Sequence, residues 1–178
     1  RRDADVLIAA GVVSVNGKVI TEMGYRVSLT DKVQVEGDTI KAEAKRYILL
    51  NKPKNFLATD EDPQGRRTVM QLIRGACKER VVPIGRIDRD TTGLLMFTND
   101  GEMAKRLTHP KVGVRNLYHA SFKEKVSQID LDKMLEGFEL DGKFVKLNKA
   151  SFVKSDPREV GVEIHSGRNR IVKRIFEH

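Results

Sequence analysis

The stretch GRIDRDTTGLLMFTND, residues 85–100, places four charged side chains directly before an apolar run. The run GLLMFT has the length of a buried β-strand, so the charged residues lie in the loop that enters that strand. A carboxylate surrounded by arginines in a cleft stays ionised, because nearby positive charge favours the charged form. The stretch therefore predicts either a catalytic aspartate at the rim of a sheet or a surface loop whose aspartates cap a helix or pair with arginines.

The charge of the chain favours a polyanionic partner. Its 178 residues carry 33 lysines and arginines against 25 aspartates and glutamates, which gives a net charge of +8. Residues 1–42 hold six of each sign, so the whole excess lies in residues 43–178. A basic excess favours nucleic acid, because each neutralised phosphate releases counterions. A soluble basic protein without such a partner has the same composition, and charge alone leaves both readings open.

The remaining composition excludes several classes of protein. One cysteine excludes a disulfide framework, and the four scattered histidines lack the spacing of zinc ligands. No apolar run approaches the roughly 20 residues of a membrane span, and no signal peptide is visible. These features indicate a reducing compartment, the cytoplasm, and no membrane partner.

Residues 1–42 predict a small module made of one helix and short strands. DADVLIAA reads as the end of a helix capped by Gly11, and VVSVNGKVI predicts a hairpin around Asn16-Gly17. YRVSLTDKVQVEG predicts a second pair of strands around Thr30-Asp31. This is a thin core for independent folding, so we expect the module to lack its beginning. Polar residues 38–46 are expected to form a linker.

Residues 43–178 predict an α+β domain, because strands and helices mix without regular βαβ repetition. Ser127 and Asp130 predict a capping box at the start of a helix that Gly137 closes. The predicted strands are YILLNKP, GLLMFT, part of YHASFKEKV, KFVKLNKASFVK (143–154) and EVGVEIH, and the predicted helices are TVMQLIRGA (68–76), DGEMAKRLTHP, SQIDLDKMLE and GRNRIVKRIFEH.

Three groups of residues could carry chemistry. Asp88 could act as a nucleophile or base without a metal, or it could bind magnesium with Asp90 and the nearby Asp100. The segment SGRNRIVKRIF, residues 166–176, brings four cations to the start of a helix after Gly167, where they would bind phosphate or simply face solvent. Tyr118 in RNLYHAS is either a core residue or a catalytic one.

These three groups occur together in an order that resembles the bacterial ribosomal pseudouridine synthases of the RsuA/RluB type. GRIDRDTTGLLMFTNDGEMAKRLTHP resembles the signature of these enzymes, and YILLNKPKN, RNLYHASF and HSGRNRIVKRIFEH resemble their other motifs. The resemblance covers residues 46–178. Residues 1–42 resemble the later part of the alpha-L RNA-binding domain that precedes the catalytic domain in these enzymes.

The resemblance implies a fold and a role for each matched residue. It implies a catalytic domain at 43–178, incomplete at its C-terminus, with a central mixed or antiparallel sheet and flanking helices. It implies an N-terminally incomplete alpha-L domain at 1–42. Asp88 would be the catalytic aspartate, Tyr118 would pack against the target base and assist removal of its C5 proton, and Lys173 would pair with the aspartate. The residues implied in RNA binding are Lys52, Arg86, Arg89, Arg168, Asn169, Arg170 and Arg174.

The implied function is the isomerisation of a specific uridine to pseudouridine in ribosomal RNA, with the base flipped out of the RNA. We expect no metal and no other cofactor, a bacterial and cytoplasmic monomer, and 23S rather than 16S RNA as the substrate. Three alternatives stay open. They are a 16S enzyme, a catalytically silent RNA-binding or ribosome-assembly factor on the same fold, and a metal-dependent nuclease that uses Asp88 and Asp90.

Overall fold

The computed structural model describes residues 2–28, 30–41, 43–165, 168 and 170–178. The chain divides into two compact units, Arg1–Ala44 and Lys45–His178. The elements of the first unit are α1 (Arg2–Ala9), β1 (Val13–Val15), β2 (Lys18–Val19), β3 (Val33–Val35) and β4 (Asp38–Thr39). The elements of the second unit are β5 (Tyr47–Lys52), β6 (Val82–Ile84), β7 (Gly93–Thr98), α2 (Gly101–Thr108), β8 (Asn116–Ser121), α3 (Gln128–Glu136), β9 (Phe138–Leu140), β10 (Lys143–Val145), β11 (Lys149–Val153), β12 (Asp156–Ile164) and α4 (Ile171–Glu177).

The first unit contains an antiparallel sheet in the order β2-β1-β3-β4. Its β1–β2 turn has φ of 51° at Asn16 and 82° at Gly17, which confirms the predicted hairpin. The second predicted strand pair is wrong, because residues 25–28 form no strand. The carboxylate of Asp31 accepts the Ser28 amide at 2.7 Å and holds that segment in a turn instead. The turn of the second hairpin lies between β3 and β4.

The second unit is built on antiparallel ladders, which confirms the predicted α+β class. One sheet has the order β5-β7-β6, another has the order β11-β12-β8, and β9 pairs with β10 as a hairpin. Helix α3 begins with the predicted capping box of Ser127 and Asp130, and Gly137 follows its last turn. The aligned register of β5 and β7, Tyr47 opposite Thr98 through Lys52 opposite Gly93, brings the end of β5 beside the charged loop that precedes β7.

Three elements of the second unit differ from the sequence-based prediction. Residues 143–154 form two strands, β10 and β11, in different sheets rather than one long strand. The helix predicted over 68–76 is reduced to a short 3₁₀ turn at Val69–Gln71. Strand β6 was not predicted, because it contains Pro83. Proline is tolerated there since β6 lies at the edge of its sheet.

Each of the two three-stranded sheets of the second unit packs its own apolar cluster. The β5-β7-β6 sheet contributes Leu95 and the fully buried Phe97, and Ile87 packs against their cluster. The β11-β12-β8 sheet contributes the fully buried Val160 and Val162, and Tyr118 packs against theirs. Ile87, the neighbour of Asp88, is therefore anchored in one cluster, and Tyr118 is anchored in the other.

Candidate active site

The charged loop between β6 and β7 is tied by its backbone to the segment after β5. The carbonyl of Arg89 accepts hydrogen bonds from the Asn55 amide at 2.8 Å and from Lys52 Nζ at 3.2 Å. Within the loop, the Thr91 amide donates to the Asp88 carbonyl at 3.1 Å and closes a turn. These bonds fix the backbone on the C-terminal side of Asp88.

Lys52 supports this loop through a hydrogen bond to its backbone. Its side chain is completely buried, and Nζ donates to the carbonyls of Pro53 at 2.9 Å and Arg89 at 3.2 Å. Burial lowers the pKa of Lys52, and the negative charges of Asp90 and Asp88 partly offset that effect. The contact between Lys52 and RNA stays a prediction, and in this structure the Lys52 ammonium is enclosed and donates to two carbonyl oxygens.

Asp88 lies near three other predicted site residues, which are Lys173, Arg170 and Tyr118. Its half-buried carboxylate, 29% exposed, has Oδ2 at 3.4 Å from Lys173 Nζ and at 3.6 Å from Arg170 Nε. Tyr118 of β8 lies near enough for the charge of Asp88 to act on its phenol. Burial raises the pKa of Tyr118, and the negative charge of Asp88 raises it further, so the phenol stays protonated at neutral pH.

Lys173 is shared between two carboxylates. Its Nζ lies 2.7 Å from both carboxylate oxygens of Asp90, closer than it lies to Asp88. The bond to Asp90 is the main cause of the raised pKa of Lys173, and the same bond lowers the pKa of Asp90. The resemblance implied a pair of Lys173 with Asp88, and the structure adds Asp90 to that pair.

The other basic residues of the α4 segment turn towards the β9–β10 hairpin. Arg168 Nη2 donates to the Leu140 carbonyl at 3.0 Å and lies 3.8 Å from the Asp141 carboxylate. Arg174 forms an ion pair with the same carboxylate. These contacts place Arg168 and Arg174 at the hairpin tip. Asn169, together with Gly167, lies outside the described residues.

Arg86 and Arg89 differ from the cations of α4. Both side chains are exposed, and neither has an ion pair with another residue of the described ranges. An exposed guanidinium without a carboxylate partner keeps its full charge for a phosphate. The loop therefore offers two exposed cations, Arg86 before Asp88 in the chain and Arg89 after it.

Comparison with known proteins identifies the family. Residues 46–178 match the RNA pseudouridylate synthase family. The chain is 42% identical to an uncharacterized RNA pseudouridine synthase of Aquifex aeolicus (strain VF5), over 99% of this chain and 72% of that protein. The chain belongs to the RNA pseudouridylate synthase family.

Two further comparisons agree with this membership. The chain is 39% identical to the ribosomal large subunit pseudouridine synthase B of Bacillus subtilis (strain 168), over 99% of this chain and 74% of that protein. A crystal structure of a pseudouridylate synthase matches with a TM-score of 0.67 and 27% identity, and it covers 99% of this chain and 76% of that one. The predicted resemblance and the predicted class of enzyme, an RNA pseudouridine synthase, are thus confirmed.

Asp100 has a structural role at the start of α2, and its partners are residues other than Asp88. Asp100 caps α2 by accepting the Met103 amide, and it also accepts a hydrogen bond from Tyr47 and pairs with Lys45 at 2.8 Å. The magnesium alternative that combined Asp88, Asp90 and Asp100 therefore loses its third carboxylate. Over the described ranges, no cluster of three or more His, Cys, Asp or Glu side chains could hold a metal ion. Those ranges also contain no helix with the length and apolar character needed to cross a bilayer.

Asp141 is a site-supporting residue that sequence reasoning missed. It lies at the tip of the β9–β10 hairpin with φ of 51°, followed by Gly142 with φ of 68°. The signal was present, since Asp-Gly between two short apolar runs is a strong hairpin dipeptide. Its pairing with Arg168 and Arg174 depends on a contact across the fold and has no local signature.

Proposed function

We propose that this chain converts a uridine of ribosomal RNA into pseudouridine, with Asp88 as the residue that acts on the ribose. The observation that carries the proposal is the half-buried Asp88 carboxylate, 3.4 Å from Lys173 and 3.6 Å from Arg170. Two cations at these distances offset the negative charge of the carboxylate. Such a group serves as a nucleophile or as a base.

Two routes use this carboxylate, and both balance without an electron donor or acceptor. In the first, Asp88 attacks C1′ and the N1–C1′ bond breaks, so uracil leaves with the bonding electrons. After the base turns, C5 attacks C1′, the bond to Asp88 breaks, and C5 loses its proton. In the second, Asp88 removes the C2′ proton as N1 leaves, which gives a glycal. C5 then bonds to C1′, the proton returns to C2′, and C5 loses its own proton. In both routes N1, which left with the bonding electrons, takes up a proton as C5 gives one up.

Tyr118 acts mainly by contact with the base. Its raised pKa keeps the phenol protonated, so it is a flat, half-buried surface rather than a phenolate base. A uridine inside folded RNA must be extruded to reach Asp88, at a cost of a few kcal/mol that stacking and phosphate contacts offset. Tyr118 would supply the stacking, and Arg86 and Arg89 would hold the adjoining phosphates.

The substrate we propose is large-subunit RNA. This follows the name of the Bacillus subtilis relative, a ribosomal large subunit pseudouridine synthase. Residues 1–42, which resemble part of an alpha-L domain and carry no net charge, would position the RNA rather than supply bulk charge. We further propose that the enzyme acts as a monomer in the bacterial cytoplasm, with neither a metal nor another cofactor.

The test is pseudouridine formation on unmodified 23S and 16S RNA, with the full-length protein and both with and without EDTA. Wild type is compared with Asp88→Asn, and products are mapped by carbodiimide modification and primer extension. A single 23S site that is modified by the wild type and not by the variant supports the proposal. We expect Asp88→Asn to remove turnover, while RNA affinity stays equal or rises because one negative charge is lost.

The other outcomes separate the alternatives. Modification confined to 16S RNA would change the substrate and keep the chemistry. Strand cleavage that EDTA abolishes would point to the metal-dependent nuclease. RNA binding without modification of either RNA would overturn the enzymatic proposal and favour the silent RNA-binding factor.

A further inference from the structure

Asp90 lies two residues after Asp88 on the same turn, and both carboxylates face the same ammonium. Lys173 Nζ is 2.7 Å from Oδ1 and 2.7 Å from Oδ2 of Asp90, whereas its distance to Asp88 Oδ2 is 3.4 Å. Charge-assisted N–H···O bonds are typically about 2.7–2.9 Å long. Lys173 therefore donates its short hydrogen bonds to Asp90 and interacts with Asp88 over a longer distance.

The two carboxylates also differ in exposure. The side chain of Asp90 is 69% exposed and that of Asp88 is 29% exposed, so Asp90 lies at the rim and Asp88 further inside. The second cation near Asp88, Arg170, is likewise at 3.6 Å rather than at hydrogen-bonding distance. Asp88 is thus surrounded by positive charge without a short ion pair to either cation.

This arrangement matters for a nucleophile or base. A carboxylate locked in a short ion pair must break that bond before its oxygen can reach carbon or a proton. A carboxylate whose neighbouring cations stand 3.4–3.6 Å away still interacts with their charge and keeps its oxygen available. Some feature must hold the ammonium at that distance, because a free lysine would close on the more buried carboxylate.

We propose that Asp90 is a positioning residue that holds Lys173 away from Asp88 and so keeps the Asp88 carboxylate free to react. The inference rests on the proposed function of Asp88. It assigns Asp90 no contact with the reacting atoms, since Asp90 acts only through Lys173. Removal of its charge releases Lys173 to pair tightly with Asp88.

Single-turnover kinetics on the RNA that the wild type modifies test this role. Asp90→Asn keeps the size of the side chain and removes its charge. We expect the maximal rate at saturating enzyme to fall on the order of tenfold, which corresponds to the loss of one charge-assisted contact. The enzyme concentration at half-maximal rate should change less than about twofold, because RNA binding is not the affected step. Asp90→Glu, which restores the charge, should recover most of the rate.

A matched control comes from another carboxylate held by a cation in the same bidentate manner. Asp62 accepts Arg66 Nε at 3.1 Å and Nη2 at 2.6 Å, outside the Asp88 loop. Asp62→Asn should leave the maximal rate unchanged. An equal loss in Asp62→Asn and Asp90→Asn would show a general effect of lost charge and would overturn the assignment.

The dependence on Lys173 is tested in a Lys173→Met background. There Asp90→Asn should cause no further loss of rate, because the ammonium it controls is absent. A further loss as large as that in the wild-type background, an unchanged rate in Asp90→Asn alone, or failure of Asp90→Glu to recover the rate would each refute the inference. Absence of modification by the wild type would instead count against the proposed function, so the two failures are distinguishable.

Discussion

Replacement of Lys52 by methionine separates support of the Asp88 loop from contact with RNA. Methionine has nearly the same length and fills the same buried space, but it cannot donate a hydrogen bond. The substitution removes the bonds of Nζ to the Pro53 carbonyl at 2.9 Å and the Arg89 carbonyl at 3.2 Å. The Arg89 carbonyl keeps the bond from the Asn55 amide at 2.8 Å, whereas the Pro53 carbonyl loses Lys52 as its donor.

The expected cost in stability follows from these contacts. An acceptor that loses its donor costs about 1–3 kcal/mol when it is fully buried and less at a part-buried bond such as that of Pro53. Removal of the buried ammonium relieves part of that cost, because burial already lowers the pKa of Lys52 and so disfavours its charged form. We therefore expect Lys52→Met to lower the free energy of unfolding by about 1–2 kcal/mol. Lys52→Ala adds a cavity and should cost about 2–5 kcal/mol.

Three measurements on Lys52→Met check this account. Urea unfolding at neutral pH gives the loss of stability, and single-turnover kinetics should show slower modification because the loop is less firmly held. RNA binding at several salt concentrations gives the salt slope, which is the change in the logarithm of the binding constant with the logarithm of salt concentration. The slope should not change, because the ammonium is completely buried. Lys54→Met is the matched control, since Lys54 is exposed and its replacement should leave the free energy of unfolding unchanged.

The refuting result is equally specific. A direct phosphate contact would reduce the magnitude of the salt slope by about 0.7–0.9. Unchanged stability together with such a reduction in Lys52→Met would show that this side chain reaches RNA, and the loop-support account would be wrong.

Two further predictions concern charge. Arg89→Ala should reduce the magnitude of the salt slope of RNA binding by about 0.7–0.9, because its exposed guanidinium has no carboxylate partner in the described ranges. Arg174→Ala should change the slope much less, because Asp141 already neutralises Arg174; equal changes in both variants would contradict this difference. Hydrogen bonds from Arg66 lower the pKa of Asp62 from 3.8 to about 2, so the stability that this carboxylate contributes is complete above pH 3.8 and is lost as the pH falls towards 2. Urea unfolding should therefore show a smaller loss of stability in Asp62→Asn than in wild type over that interval, and parallel curves would refute the assignment.

Features encoded by neighbouring residues were predictable from the sequence. The hairpin at Asn16-Gly17 needs two residues with positive φ, and the sequence supplies them in adjacent positions. The capping box of Ser127 and Asp130 spans three residues and forms as expected. The charged loop before β7 was also recognisable, because an apolar strand follows it directly.

Features that depend on contacts between distant residues were not predictable in this way. Residues 143–154 read as one strand, yet β10 and β11 join different sheets, and alternation alone does not reveal that change of partner. Lys52 reads as an available cation, and its burial becomes visible only when the Arg89 carbonyl comes to lie beside it. The hold of Asp90 on Lys173 joins positions 83 residues apart.

The two separate apolar clusters have a consequence for how this enzyme can vary. Ile87 is anchored in one cluster and Tyr118 in the other, and the ion pairs of Asp88 with Arg170 and Lys173 join residues from the two sides. A substitution inside one cluster leaves the packing of the other intact. Each half of the catalytic domain can therefore drift in sequence on its own, provided that the few charged residues where the halves meet are retained.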